Sequence, residues 1–239
     1  MMFLLVLSVI INFISFKRMK FIGSLYSRDN LLIREQNHRI KNNLQIISGL
    51  LSLQANRIHD AKVREVIEAS QSRVQTIGLI HKQLYDGMAE RIQMDEFIPL
   101  LVHQIAASYG IVNLNGQFKI DALQINAENA NSIALIINEL LTNSCKHAFP
   151  HVVKPAILLK LSRFTNGQLK MVYKDNGPGM DTDQEFSKTF GMTLINIQVE
   201  QLNGDVNWQN INGLVFTMVF SPYQRSFLKR VKKPVKVKL

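Results

Sequence analysis

The sequence predicts an α+β protein in which a helical hairpin precedes an α/β sandwich. Apolar residues recur at helical spacing through two neighbouring segments, and helical patterns then alternate with short strand patterns. A chain of 239 residues with 46% hydrophobic content is long enough to fold as two domains. We therefore predict a helical domain over residues 21–93 and a sandwich domain over residues 94–222, with the boundary near Gln93.

The helical domain is predicted from two apolar stripes that flank a turn at residues 57–60. The first stripe is formed by Ile40, Leu44, Ile47 and Leu51, and the second by Val63, Ile67, Val74, Ile77 and Leu84. Two helices bury little apolar surface alone, so a homodimer that completes a four-helix bundle is expected. His38 lies just before the first stripe and off its centre, and is expected to be exposed.

The sandwich domain is predicted from the order of its shorter patterns. The expected elements are helix 95–109, strand 116–123, helix 133–147, strands 156–163 and 169–174, helix 192–202, and a hairpin of strands 205–209 and 214–220.

The helix at residues 133–147 carries polar side chains suited to a bound phosphate and metal. Its apolar positions alternate with a polar set at 139, 142, 143 and 146, which predicts an amphipathic helix. Glu139 and Asn143 are four residues apart and share one face, and Lys146 lies beside them. An amide oxygen is a hard ligand for Mg²⁺, which binds few protein groups when it also binds phosphates. Glu139 either positions a water or supports Mg²⁺, or it is simply a polar helix residue.

A glycine-containing loop, DNGPG at residues 175–179, follows the predicted strand 169–174. Asp175 could accept a hydrogen bond from an exocyclic amine such as that of adenine. Gly177 and Gly179 allow the main chain to approach a planar ligand closely. Such a loop alone is typical of a simple turn. Combined with the helix 32 residues upstream, it indicates a nucleotide site.

Three motifs in this order resemble the sensor histidine kinases that have the second type of HisKA dimerisation domain, related to the HWE kinases. Residues 38–45 (HRIKNNLQ) resemble the phosphoacceptor box, residues 138–147 (NELLTNSCKH) the N box, and residues 175–179 the first glycine box. Residues 190–194 (FGMTL) resemble the second glycine box, but lack a clear second glycine beside Gly191.

The resemblance implies a Bergerat-type ATP-binding domain joined to the dimerisation domain. His38 would accept the γ-phosphoryl group of ATP and pass it to an aspartate of a response-regulator receiver domain. The resemblance implies that Asn143 coordinates Mg²⁺ and that Asp175 contacts adenine. It also implies that Lys146 and His147 approach the phosphates. The pocket and its lid would be shaped by Gly177, Gly179 and Gly191. The short segment 180–189 and the glycine-poor second box leave open a protein of the same fold that binds ATP poorly and acts as a phosphotransfer scaffold or phosphatase.

Phosphoryl transfer to His38 needs a neutral imidazole nitrogen, and an unperturbed histidine with a pKa of about 6.5 is mostly neutral at pH 7. Arg39 or Lys41 nearby would further disfavour the imidazolium, and Glu35 either orients the ring or is a solvated helix residue. The other histidines (His59, His81, His103 and His151) are expected to be structural or on the surface. Cys145 is the single cysteine, so no disulfide within the chain is possible.

The two ends of the chain are apolar and basic, respectively. Residues 1–16 carry no charge and precede three basic residues within 17–20, which predicts a membrane anchor over residues 1–20 with the catalytic part on the cytoplasmic side. A buried or interfacial helix is the alternative. Seven Lys and Arg residues within 225–239 complete the formal excess of +10, so residues 223–239 are expected to be a disordered basic tail. This placement favours anionic membrane lipids over nucleic acid as partners.

Overall fold

The computed structural model describes residues 39–86, 91–180 and 189–222, in two compact units, Met1–Glu90 and Arg91–Leu239. His38 and the anchor expected at residues 1–20 lie outside the described residues, as do segment 181–188 and the tail expected at 223–239. The division falls just before Arg91, three residues ahead of the domain start predicted at residue 94.

The first unit contains two helices, α1 over residues 39–57 and α2 over Ala61–Asp86. Asp60 begins α2, since its Oδ1 accepts hydrogen bonds from the backbone N–H groups of Lys62 at 2.8 Å and Val63 at 3.2 Å. Between the helices, Gln75 Nε2 donates to Ser48 Oγ at 3.4 Å. The buried side chains in the described part of this unit are Ala55, Ser72, Thr76 and Ile80, of which two are polar.

The apolar residues of α1 divide into two groups that the sequence pattern did not separate. Leu44 and Leu51 are half-buried, and Leu44 lies beside Gly78 of α2. Ile46, Leu50 and Leu53 instead form an exposed apolar stripe at helical spacing, each more than half exposed, at 60%, 56% and 58%. The hairpin therefore buries only part of the apolar surface of its first helix.

The second unit contains three helices and seven strands within its described residues. In chain order these are β1 (Arg91–Gln93), α3 (Met94–Ser108), β2 (Asn115–Ile120), β3 (Gln124–Asn126), α4 (Ala127–Asn143), β4 (Ala156–Arg163), β5 (Leu169–Asp175), α5 (Phe190–Gln201), β6 (Asp205–Asn210) and β7 (Leu214–Phe220). A π-helical turn, Ser144–Ala148, and a 3₁₀ turn, Phe149–His151, follow α4.

The main sheet has the strand order β2-β4-β5-β7-β6, with β2 and β4 parallel and the other pairs antiparallel. Alternate residues of β4, β5 and β7 are buried, as expected for a sheet covered by helices on one face. Helix α4 packs against both α3 and α5 and is buried along almost its whole length. The predicted α+β class, a helical hairpin and an α/β sandwich, is confirmed.

The boundaries of several elements differ from the sequence prediction for local reasons. Helix α4 begins at Ala127 rather than Ile133, because Asn126 caps it: its Oδ1 accepts from the Asn129 N–H at 2.9 Å. The strand expected at 116–123 ends at Ile120, and residues 124–126 form a separate short strand that pairs with β1. Both short strands lacked an alternating pattern long enough to be recognised.

No helix within residues 39–86, 91–180 and 189–222 has both the length and the apolar character required to span a bilayer.

Candidate nucleotide site

The polar side chains near the end of α4 are mostly buried. Glu139 is only 3% exposed, and its Oε1 accepts a hydrogen bond from Asn138 Nδ2 at 3.1 Å. Thr142 is also buried. The expected amphipathic helix is therefore wrong in one respect, because part of the polar face that the sequence predicts lies inside the domain. Asn143, one turn beyond Glu139, is half-exposed at the end of the helix.

The chain changes from α-helical to π-helical geometry directly after Asn143. A π-helical turn contains more residues than an α-helical turn, so it rotates the following side chains relative to the helix before it. Lys146 is half-exposed and His147 exposed, while Ser144 and Cys145 point into the domain and are buried. The two basic side chains expected near the phosphates thus reach the surface from a turn of altered register.

Asp175 is the buried acceptor at the end of β5 and is 3% exposed. Its Oδ1 accepts from the backbone N–H groups of Gly177 and Leu214, both at 3.0 Å. Its Oδ2 accepts from Ser144 Oγ at 2.6 Å. The carboxylate therefore connects the N box, the first glycine box and the start of β7.

The glycines of the first glycine box are required by close packing. A Cβ atom at Gly177 would lie 2.3 Å from the Cβ of Ala148, so this glycine lets the loop approach the π-helical turn. Gly179 has a φ of +91°, which favours glycine. Next to it, Asn210 holds the backbone of Met180, accepting from its N–H at 2.8 Å and donating to its carbonyl at 2.7 Å.

The second glycine box forms the start of α5. Thr189 Oγ1 accepts from the Met192 N–H at 3.4 Å and caps this helix. A Cβ atom at Gly191 would lie 2.8 Å from Glu139 Oε2, so the first turn of α5 approaches the Glu139 carboxylate closely. The structure thus brings Glu139 and Gly191 together, and separately joins Asp175 and Gly177 to the turn that follows Asn143.

Three residues of this arrangement were missed from the sequence. Ser144 and Asn210 are common polar residues, and no spacing pattern marks them as partners of Asp175 and Met180. Gly213, with a φ of +112°, lies so close to Asp175 that a Cβ atom there would be 2.0 Å from the Asp175 carbonyl oxygen. The sequence Asn-Gly at 212–213 indicates a turn but not its contact with a strand end 38 residues earlier.

The remaining histidines and the cysteine have ordinary surroundings. His59 is exposed, and the ring of His103 lies 6.1 Å from that of Phe118 in an edge contact. Burial lowers the pKa of the half-buried His81. Burial raises the pKa of the Cys145 thiol to about 12, which makes a reactive thiolate unfavourable. The side chain of His151 lies outside the described part of the chain.

The donor set fits a nucleotide and a magnesium ion. The half-exposed amide of Asn143 supplies a hard oxygen ligand, and Lys146 and His147 lie within the next turn. Asp175 supplies a buried acceptor with a fixed orientation. In the described residues there is no group of three or more His, Cys, Asp or Glu side chains that could hold a metal ion, so Mg²⁺ would need the phosphates as further ligands.

Comparison with known proteins gives one family and several relatives. Residues 35–109 match the HisKA_2 family of histidine kinases. The chain is 29% identical over 194 residues to the sensor histidine kinase PdtaS of Mycobacterium tuberculosis, covering 78% of this chain and 38% of that protein. It is 25% identical over 183 residues to blue-light-activated histidine kinase 2 of Erythrobacter litoralis, covering 73% of this chain and 52% of that protein.

Solved structures of blue-light activated histidine kinase from Erythrobacter litoralis share the fold. The histidine kinase domain superposes with a TM-score of 0.59 at 18% identity, covering 74% of this chain and 95% of that one. The longer structure gives a TM-score of 0.62 at 19% identity, covering 81% of this chain and 61% of that one. The chain spans about half or less of the length of the two sequence relatives above.

Proposed function

We propose that this chain, whose residues 35–109 match the HisKA_2 family of histidine kinases, is an ATP-dependent protein-histidine kinase that phosphorylates His38. The observation that carries this proposal is the Ser144 to Asp175 hydrogen bond of 2.6 Å, which joins the N box to the first glycine box. Two motifs separated by 32 residues thereby form one nucleotide site, with an acceptor for a base and a ligand for a metal ion.

Each candidate residue has a role in this proposal that its surroundings support. Asp175 accepts a hydrogen bond from the exocyclic amine of adenine, and Asn143 is a ligand of Mg²⁺. Lys146 and His147 approach the phosphates, which fits their exposure. Gly177, Gly179 and Gly191 allow the close approaches that shape the site. When bound, Mg²⁺ supplies charge compensation for the phosphates.

Glu139 is proposed as the buried carboxylate that supports the reacting end of the nucleotide. It is four residues before Asn143 and lies against the first turn of α5. Negative charge near a helix N-terminus is favourable, so the approach to Gly191 helps to hold the carboxylate in place. A water or a proton donor that Glu139 orients would then lie between the N box and the second glycine box.

The transfer step follows from the chemistry of imidazole. The unprotonated ring nitrogen of a neutral His38 attacks the γ-phosphorus and forms a P–N bond, while the P–O bond to ADP breaks and ADP leaves with its electron pair. The other ring nitrogen then loses its proton to solvent. We propose that the phosphoryl group then passes to an aspartate carboxylate of a response-regulator receiver domain.

The exposed apolar stripe of α1 supports a homodimer. Ile46, Leu50 and Leu53 present a continuous apolar surface that the hairpin does not cover. A second copy of the hairpin would cover these residues and complete a four-helix bundle. Attachment to anionic membrane lipids through residues 1–20 remains a prediction from the sequence.

Autophosphorylation tests the main proposal. Purified chain is incubated with γ-labelled ATP and Mg²⁺, in parallel with His38→Gln and Asn143→Asp variants. Acid-labile label in the wild type and none in either variant is the expected result. Label that persists in His38→Gln would contradict the assignment of the phosphoacceptor.

Two alternatives predict different results in the same preparation. A phosphotransfer scaffold or phosphatase of this fold would neither bind nucleotide nor acquire label. It would instead accept phosphoryl groups from, or remove them from, a phosphorylated receiver domain. A nucleic-acid-binding module would show salt-dependent DNA binding that survives deletion of residues 225–239.

A further inference from the structure

Three buried side chains form a hydrogen-bonded chain that ends at the proposed adenine acceptor. The Tyr173 hydroxyl donates to Ser144 Oγ at 2.8 Å, and Ser144 Oγ donates to Asp175 Oδ2 at 2.6 Å. Tyr173 is completely buried, and Ser144 and Asp175 are 2% and 3% exposed. Because these groups are largely shielded from bulk solvent, each hydrogen bond depends on the next.

The direction of the chain is fixed at its tyrosine end. Burial raises the pKa of Tyr173 well above its usual range, so the phenol keeps its proton at all physiological pH values. That proton is donated to Ser144 Oγ, which leaves the Ser144 proton for an acceptor. The Leu140 carbonyl oxygen is available at 3.2 Å, but Asp175 Oδ2 is closer and charged. A charge-assisted hydrogen bond is shorter and stronger, so Ser144 donates to Asp175.

The chain limits how Asp175 can meet a ligand. A carboxylate has about four lone-pair positions. The N–H groups of Gly177 and Leu214 occupy two on Oδ1, and Ser144 occupies one on Oδ2. No donor within the described residues occupies the fourth lone-pair position, which is on Oδ2. Asp175 thus offers a ligand one acceptor in a fixed direction.

We infer that Ser144 and Tyr173 are positioning residues that make this site select a purine with an amine at carbon 6 over one with a carbonyl there. A 6-amino group donates to the free position of Oδ2, whereas a 6-oxo group would place an acceptor against an acceptor. A site built to pair with a donor discriminates strongly against an analogue that lacks it. This inference rests on the proposed function, because it requires that the site binds a nucleotide.

The experiment compares dissociation constants for ATP and inosine triphosphate, which differ in the group at carbon 6, by calorimetry. The wild type is expected to prefer ATP, and Ser144→Ala to lower the ratio of the two constants by about tenfold, the scale of one hydrogen bond to a charged group. Tyr173→Phe keeps the ring and is expected to lower the ratio less, because Ser144 can then divide its proton between Asp175 and Leu140.

The double variant Ser144→Ala with Tyr173→Phe separates positioning from general structural damage. If Tyr173 acts through Ser144, the ratio for the double variant equals that for Ser144→Ala alone. Ser132→Ala is the matched control, since Ser132 is likewise a buried serine, within α4, and donates to Gln201 Oε1 at 3.2 Å, away from Asp175. Its ratio should match that of the wild type.

The outcomes distinguish the two proposals. If Ser144→Ala and Tyr173→Phe weaken ATP and inosine triphosphate equally, the hydroxyls only stabilise the fold and the inference is overturned, while the nucleotide site stands. If the wild type binds neither triphosphate, the nucleotide site itself is refuted and the selection with it. Thermal unfolding of each variant shows which molecules are folded, and Tyr173→Phe supplies the test if Ser144→Ala does not fold.

Discussion

Gly191 lies against the carboxylate of Glu139, so that a Cβ atom on Gly191 would be 2.8 Å from Glu139 Oε2. Gly191 belongs to the second glycine box, at the start of α5, and Glu139 belongs to the N box, within α4. Glutamate is long and flexible, and its carboxylate is the part of the side chain that can move. The conformation of a buried acid thus depends on the absence of a side chain on the neighbouring helix.

Gly191→Ala should displace Glu139 while leaving the fold intact. A helical Ala is favoured over Gly by roughly 0.5–1 kcal/mol, which offsets the cost of moving the carboxylate. We expect the free energy of unfolding to change by less than about 1 kcal/mol and the autophosphorylation rate to fall. Urea denaturation and γ-label incorporation measure the two quantities.

Gly49→Ala provides the control for this substitution. Gly49 also lies within a helix, α1, and a Cβ atom there would meet nothing within 4 Å. Its substitution should stabilise α1 slightly. Because Gly49 lies beside Ile46 and Leu53, light scattering checks that the dimer persists, and the autophosphorylation rate of that dimer should be unchanged. A Gly191→Ala protein as active as Gly49→Ala would show that the position of Glu139 is unimportant for transfer.

Asn143→Ala should weaken the binding of ATP only when Mg²⁺ is present. The side chain is half-exposed at the end of α4, so its removal should not destabilise the domain. We expect the dissociation constant of Mg-ATP to rise by about tenfold or more, as for the loss of one contact to a charged partner. Titration of ATP with Mg²⁺ and with a chelator measures the difference.

Asn131→Ala is matched to that variant, because Asn131 is a half-exposed asparagine of the same helix, three turns earlier. Its affinity for Mg-ATP should equal that of the wild type. If Asn143→Ala lost the same amount of ATP affinity with and without Mg²⁺, the assignment of Asn143 as a metal ligand would be refuted.

The sequence predicted the elements of the fold well, because their apolar periods are long. Strands β4 and β7 have the bounds expected, and α3, β5, α5 and β6 differ from expectation by two residues or fewer at either end. Features that depend on only one or a few residues were harder to predict. The start of α4 depends on one capping side chain, Asn126, and the strands β1 and β3 each contain only three residues.

The candidate site was predicted as a set of motifs but not as a network. Ordered motifs suggested Asp175 and Asn143 as site residues, whereas the contact between Ser144 and Asp175 depends on the π-helical turn and on long-range packing. Helical periodicity also placed Glu139 on a polar face, although the structure buries it. A pattern of residue types records which side chains are polar, but not which polar side chains find partners inside the domain.

Leu50→Glu should prevent dimer formation. Leu50 is the centre of the exposed apolar stripe of α1, and a charge there would be buried without a partner in a four-helix bundle. We expect the molar mass from light scattering to fall to that of a monomer. Gln45→Glu introduces the same charge on the same helix, about 140° around the helix axis from Leu50, and should leave the dimer intact. A dimer that persists in Leu50→Glu would require a different interface.

Alkaline pH should destabilise the second unit through Cys145. Burial raises the pKa of this thiol from its ordinary value of 9.0 to about 12, so the folded protein retains a proton that the unfolded chain releases. The free energy of unfolding therefore falls as the pH rises from 9.0 towards about 12, by at most about 1.4 kcal/mol per pH unit for one group. Below pH 9.0 this contribution is constant.

Cys145→Ala isolates the contribution of the thiol. Tyr173 acts in the same direction, since burial raises its pKa as well, but only above its ordinary value of 10.0. Between pH 9.0 and 10.0 the variant should therefore show a flatter dependence than the wild type in urea denaturation. Parallel curves for the two proteins would mean that the thiol titrates normally in the folded state.

Gly213→Ala should disrupt the turn that supports Asp175, and Gly110→Ala shows how much of the effect is due to backbone strain. Both glycines have positive φ, +112° and +73°, which costs an L-residue about 1–2 kcal/mol. At Gly110 a Cβ atom meets nothing within 4 Å, whereas at Gly213 it would be 2.0 Å from the Asp175 carbonyl oxygen. A backbone atom cannot rotate away, so overpacking adds about 1–3 kcal/mol at Gly213.

Gly213→Ala should also weaken ATP binding, because the Leu214 N–H moves away from Asp175 Oδ1. Equal losses of unfolding free energy in the two variants, with ATP affinity unchanged, would show that the turn does not hold the carboxylate.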